Sequence, residues 1–296
     1  MTRVTIKKSF WLVITLGTLA AQAQTTNPPT RLPEVAVPGT PGSELREEGA
    51  VGPYQQPEWT KARRFTTTRV YVQREPWDVG FEQWWRGRFF RDGSAKHLFQ
   101  EEIEIGLPHR FQLDLYENWV MDDHRRMRHH DVAGELRWAL ADWGKIPLNP
   151  TLYGEWKFVD KTQGPDVYEV KLLLGEQLAP RWHWGMNFVY EQEVGKARAT
   201  ELAVSQGISY TVCDQRLNVG LEMVFKHETE QHSRGNPEIK FLIGPSVQWR
   251  PTPRTYLNIV PLVGVTRDAP RVEAFVIFGI DLGKASHYAP ASLRGQ

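Results

Sequence analysis

The stretch IEIGLPHRFQLDLYENW, residues Ile103 to Trp119, decides the fold. On its first side Phe99, Ile103, Ile105 and Leu107 alternate with Gln100, Glu102 and Glu104. Beyond Pro108-His109-Arg110, Phe111, Leu113 and Leu115 alternate with Gln112, Asp114, Tyr116 and Asn118. A period of two sends successive side chains to opposite faces of a strand. The two runs therefore read as one hairpin, in which proline ends strand pairing and arginine marks the membrane edge.

The same pattern extends in both directions. It begins with Phe81 to Phe90 and continues through Val132 to Ala141, Thr151 to Val159, Val167 to Gly175, Trp182 to Tyr190 and Leu202 to Tyr210. Leu217 to Lys226, Glu238 to Trp249, Thr255 to Val265 and Glu273 to Leu282 complete it. About twelve strands of roughly ten residues result, the length that crosses a bilayer at a tilt, and an even number as single-chain bacterial barrels require. Short connections (LPHR, LAPR, TVCDQR, RPTPR and the longer DWGKIPLNP) alternate with longer polar ones such as RDGSAKH, DKTQGPD and EQEVGKARATE. That alternation fits periplasmic turns and outward loops. The units have no fixed period, which excludes a solenoid. Trp119, Trp138, Trp143, Trp182, Trp184, Tyr190, Tyr210, Trp249 and Tyr256 fall near strand ends, where they are expected to form interfacial girdles. Pro245 and Pro261 fall inside strands, where local bulges or shifted boundaries are expected. The fold class expected is all-β: an antiparallel transmembrane β-barrel with a disordered N-terminal extension.

Bulk properties agree. The 296 residues carry a formal net charge of +1, which excludes a nucleic-acid polycation, and a mean hydropathy of −0.47, which excludes a bundle of membrane helices but not a barrel. One cysteine, Cys213, rules out an intrachain disulfide framework. Arg3, Lys7 and Lys8 precede the apolar run FWLVITLGTLAA and then Ala21-Gln22-Ala23, the layout of a secretory signal peptide over residues 1–23. Residues 24–80, rich in proline up to about Thr60, are expected to form a periplasmic linker. Within them, Glu34 to Val37 resembles a TonB box, although the chain is too short for the plug and 22-stranded barrel of TonB-dependent receptors. The barrel is expected over 81–283 and a C-terminal tail over 284–296.

On the polar face an acid and a base recur two residues apart: Glu135/Arg137, Glu155/Lys157, Glu169/Lys171 and Glu238/Lys240. With Glu102, Glu104, Asp114, Glu222 and Lys226 they are expected to line the lumen, because each Lys or Arg facing lipid at the midplane would cost about 2–4 kcal/mol. Such a ladder either sets the selectivity of a water-filled pore or cross-links neighbouring strands and closes it. A twelve-strand barrel lies between side-chain-filled eight-strand barrels and porins with aqueous channels, and a narrow channel is the reading carried forward. The loop MDDHRRMRHHD gathers Asp122, Asp123, His124, His129, His130 and Asp131, residue types suited to a divalent metal or to water activation. Its arginines suit anions such as lipopolysaccharide phosphates. The spacing matches no metal motif, so neither a metal nor a cofactor is expected.

The segment IGPSVQWRPTPRTYLNIVPLVGVTRDAPRVEAFVIFGIDL, Ile243 to Leu282, resembles the closing hairpins of the outer-membrane proteins grouped as meta-pathway phenol-degradation transporters. The resemblance implies an outer-membrane barrel that passes or helps take up hydrophobic compounds. The chain departs from that pattern in running on past Leu282 and in its proline-rich N-terminal region. The function expected is passive channel or uptake component, inserted by the outer-membrane assembly machinery among lipid and lipopolysaccharide. The alternatives are an outer-membrane hydrolase using the Asp/His loop and a closed structural barrel.

Overall fold

The computed structural model describes residues 45–121, 126–195 and 197–283. The chain divides into two units, residues 1–42 and 43–296. The expected signal peptide, the TonB-box-like Glu34 to Val37, the tail and three of the loop residues (Asp122, Asp123 and His124) lie outside the described residues.

Within the second unit, two short strands, β1 (Ala50–Val51) and β2 (Gln56–Pro57), precede a closed barrel of twelve strands. These are β3 (Val79–Phe89), β4 (Ala95–Leu107), β5 (Phe111–Met121), β6 (Met127–Ala139), β7 (Thr151–Val159) and β8 (Val167–Ala179). They continue as β9 (Trp182–Glu193), β10 (Thr200–Cys213), β11 (Leu217–Thr229), β12 (Glu238–Thr252), β13 (Thr255–Gly264) and β14 (Val272–Asp281). Every neighbouring pair is antiparallel, and β14 closes onto β3 with Phe278 opposite Gln83 and Ile280 opposite Phe81. Closure leaves no strand edge, the condition for a sheet to sit in hydrocarbon.

Alternation settles which face meets lipid. Ile103 is 47% exposed and Phe188 44%, whereas Glu102, Glu104 and Asp114 on the opposite face have no exposed surface. Across the first hairpin Ile103 stands opposite Leu115 and Glu104 opposite Asp114, so one register keeps apolar pairs outside and carboxylates inside. Its turn places His109 and Arg110 at φ 60° and 67°, a primed turn whose twist matches that of the strands. The recurring turn arginines do more than mark an edge. Arg110 donates to Ala139 O at 3.1 Å and Arg181 to Thr211 O at 2.9 Å, which staples each turn to the next hairpin.

Three expectations need correction. Pro245 and Pro261 produce one shared lapse: pairing of β12 with β13 stops after Ile243↔Val263 and resumes at Val247↔Ile259, with both rings exposed on the outer face. Tyr256 and Trp143 are not girdle residues, since Tyr256 is buried and bonds Glu82, and Trp143 packs against Trp59 and Tyr71. The largest correction concerns the expected linker. Its described part, residues 45–78, is threaded through the barrel, with Trp59, Phe65, Tyr71, Val72 and Arg74 all buried. Proline content signals an absence of helix and strand, and here the lumen wall supplies the partners that a free chain lacks.

Candidate functional site: the lumen and its internal segment

The lumenal segment begins at the side of the short turns. Arg46–Glu48 and Glu58–Lys61 form single 3-10 turns, between which β1 pairs β2. Asp214 accepts from the Arg46 and Glu47 amides, and Glu48 accepts from the Arg181 amide at 2.5 Å. Tyr54, Trp59, Phe65, Val70, Tyr71 and Val72 make a small apolar core with the wall residues Ala139 and Trp143. Trp59 lies 5.7 Å from the Trp143 ring and 4.6 Å from the His183 ring.

From Arg63 onward the segment runs around the inner wall, meeting the strands in reverse chain order. Asn258 (β13) and Gln248 (β12) donate to Arg63 O, and Glu222 (β11) accepts from the Thr66 and Thr67 amides. Ser205 (β10) bonds Thr68, and Asn187 (β9) accepts from Arg69 N at 2.8 Å and donates to Arg69 O at 2.6 Å. Val70 lies over Gly175 (β8), Arg137 (β6) donates to Tyr71 O at 3.4 Å, and Gln112 (β5) accepts from the Gln73 and Arg74 amides. A Cβ at Gly80, Gly106, Gly175, Gly185 or Gly207 would collide with this segment. Those five glycines thin the wall where the second layer of chain runs.

The electrostatics are lopsided. Glu82, Glu102, Glu104, Asp114 and Glu135 crowd one side of the wall, all buried, and among the described residues only Arg137 of the wall pairs directly with that group, through Asp114, Glu135 at 2.5 Å and Glu104 at 3.7 Å. The other cations come from the segment: Arg63 reaches Glu82 at 2.5 Å, Arg69 reaches Glu102 at 2.7 Å and Arg74 reaches Glu104 at 2.6 Å. Arg63 also lies 4.3 Å over the Trp84 ring. Burial opposes the Arg69 charge, but Glu102, Glu135, Glu82 and Glu104 outweigh it and hold its pKa well above the ordinary range. At Arg64 burial wins, and the pKa is lowered despite Glu47 at 3.0 Å.

Toward the long loops the lumen opens into a cavity of about 950 Å³ floored by Arg63, Thr66, Thr67 and Arg69. Eleven Arg and Lys and twelve Asp and Glu line it, so it carries little net charge. All four expected acid-base pairs are in contact: Glu135/Arg137 at 2.5 Å, Glu155/Lys157 at 3.1 Å, Glu169/Lys171 at 2.6 Å and Glu238/Lys240 at 2.9 Å. Lys157 also reaches Glu191 at 2.7 Å and Lys226 reaches Glu201 at 2.8 Å, ties that cross between strands. Of the thirteen residues expected on the lumen face, Glu102, Glu104, Asp114, Arg137 and Glu222 lie at the level of the segment. Glu155, Lys157, Glu169, Lys171, Lys226, Glu238 and Lys240 line the cavity, and Glu102 and Glu135 belong to both.

The expected loop site does not converge among the described residues. His129, His130 and Asp131 belong to β6 rather than to a loop, because the sheet extends past the expected strand start at Val132. A bulge there splits them. His129 packs on Trp119 at 5.3 Å with Glu117 at 3.4 Å, whereas the buried Asp131 takes a bond from Asn118 at 2.7 Å and lies 2.5 Å from His130. What sequence reasoning missed is the lumenal segment, and two signals could have found it. Glycines recur on the inward face at 80, 106, 175, 185 and 207, and Glu82, Glu102, Glu104 and Asp114 lack a base two residues away.

No protein-family model matches the sequence, and no curated protein does. Among solved structures, an outer-membrane channel of Pseudomonas putida F1 is similar over 71% of this chain and 97% of that one, with a TM-score of 0.50 and 10% identity. The NanC porin is similar over 70% and 99%, with a TM-score of 0.48 and 11% identity. The likeness is one of fold.

Proposed function

We propose that this protein is an outer-membrane channel for small solutes in which residues 45–78, rather than the wall, set the passage. One observation carries the reading: a polar cavity open toward the long loops is floored by a segment that is not part of the sheet. A sealed structural barrel would be filled by its own wall side chains, whereas here five wall glycines make room for a separate layer. In the outer membrane the short turns face the periplasm, so the closed end is periplasmic and the cavity is extracellular. The balanced charge of the cavity suits small hydrated solutes. The hydrophobic cargo implied by the resemblance of Ile243 to Leu282 would have to cross this charged lining. Asp131 holds His130 through one carboxylate oxygen and accepts from Asn118 through the other.

A disulfide tests the assignment. Thr68 Oγ1 and Ser205 Oγ are 3.1 Å apart, so T68C with S205C, in a chain also carrying C213S, can pin the segment to β10. In planar bilayers the oxidised protein is expected to be silent and the reduced protein to conduct. Equal currents in both states would remove the segment from the conduction path, and silence in both would remove the channel.

A further inference from the structure

We infer that the lumen wall is a receptor for an extended, arginine-bearing peptide, and that residues 45–78 are its resident occupant. Six wall side chains on six strands, Gln112, Arg137, Asn187, Glu222, Gln248 and Asn258, address the main chain of the segment. They meet eight of its atoms: the amides of Thr66, Thr67, Arg69, Gln73 and Arg74 and the carbonyls of Arg63, Arg69 and Tyr71. Contacts of this kind do not depend on side-chain identity. They are how grooves hold peptides of varied sequence, with specificity added by pockets for particular side chains.

Here the pockets are carboxylates. The shortest contacts are Arg63 to Glu82 at 2.5 Å, Arg69 to Glu102 at 2.7 Å and Arg74 to Glu104 at 2.6 Å. Arg63 also reaches Glu102 at 3.5 Å and Arg69 reaches Glu104 at 3.4 Å, so the three carboxylates form one shared pocket. Removing the segment would leave five buried carboxylates with one wall arginine, an arrangement that strongly favours another cation in the same place. Gly106 lets the main chain approach closely at Glu75, and the wall glycines under Phe65, Val70 and Arg74 make room for the side chains that the segment sends outward. Access is from the side of the short turns, where Trp77 ends the segment in an exposed position.

The inference concerns binding and does not require ion flow. A protease site inserted between Trp77 and Asp78 lets the full chain fold with its segment in place before nicking. The nicked segment is then exchanged, at high ionic strength, for a labelled synthetic peptide of residues 45–78. An unrelated peptide that keeps arginines at the spacing of Arg63, Arg69 and Arg74 is expected to compete within about tenfold of the native peptide. Its counterpart with glutamates at those positions is expected not to compete. Competition by the native sequence alone, or a nicked segment that no peptide displaces, would overturn the inference. Where the insertion impairs folding, the uncut chain carrying N187A, S205C and C213S reports the same exchange. The readout is then disulfide capture of a peptide with cysteine at the position of Thr68, and capture that does not distinguish the arginine from the glutamate peptide overturns the inference. Peptide exchange in a barrel that never conducts would retire the channel and leave the receptor standing.

Discussion

Asn187→Ala should release the lumenal segment without disturbing the barrel. Its amide makes two hydrogen bonds to one residue, accepting from Arg69 N at 2.8 Å and donating to Arg69 O at 2.6 Å, and it is 2% exposed. Each lost bond leaves a buried main-chain group unpaired, at about 1–2 kcal/mol apiece. The docked state therefore loses about 2–4 kcal/mol, which shifts the ratio of docked to released segment about 30- to 700-fold. The strand is spared, because Asn187 pairs Ser205 and Leu173 through its main chain. Two readouts follow: a raised open fraction in planar bilayers, and faster tryptic cleavage within the stretch containing Arg63, Arg64, Arg69 and Arg74. An unchanged open fraction together with unchanged cleavage would refute the claim that main-chain contacts hold the segment.

Other perturbations separate wall, segment and lipid face. Gly207→Ala sets a methyl against the Phe65 ring and should raise tryptic cleavage of the segment, while the unheated protein keeps the anomalous gel migration of a folded barrel. Arg137→Ala strips the buried Asp114 and Glu135 of their wall partner and should lower stability by about 3–5 kcal/mol, read from urea unfolding in liposomes. Leu115→Arg places a charge on the outer face, where Leu115 is 46% exposed, and should cost about 2–4 kcal/mol by the same measurement, whereas Leu115→Ala should cost far less.

Strand number, facing and register were legible because lipid on one side and a polar interior on the other enforce a period of two that any reader of the sequence can count. The strands run past the expected limits at several loop-side ends, for example to Thr229 where Lys226 was expected, because polar residues above the membrane continue the ladder without alternating hydrophobicity. The lumenal segment was illegible for the converse reason. Its groups are satisfied one at a time by distant side chains, Arg69 by Asn187 and Thr66 by Glu222, and such pairing leaves no periodic trace. Its trace lay in the wall instead, in glycines and in carboxylates without a neighbouring base. His129, His130 and Asp131 misled because composition alone cannot register a bulge, which here leaves His130 and Asp131 together on the lumen side and parts them from His129.

The five thinned positions of the wall tie two distant parts of the chain to a common fate. Any lineage that discarded residues 45–78 would be free to refill positions 80, 106, 175, 185 and 207 with larger side chains, and would gain stability by doing so. A lineage that keeps the segment can alter positions 80, 175, 185 and 207 only in step with Phe65, Val70 and Arg74, and position 106 only by moving the main chain at Glu75.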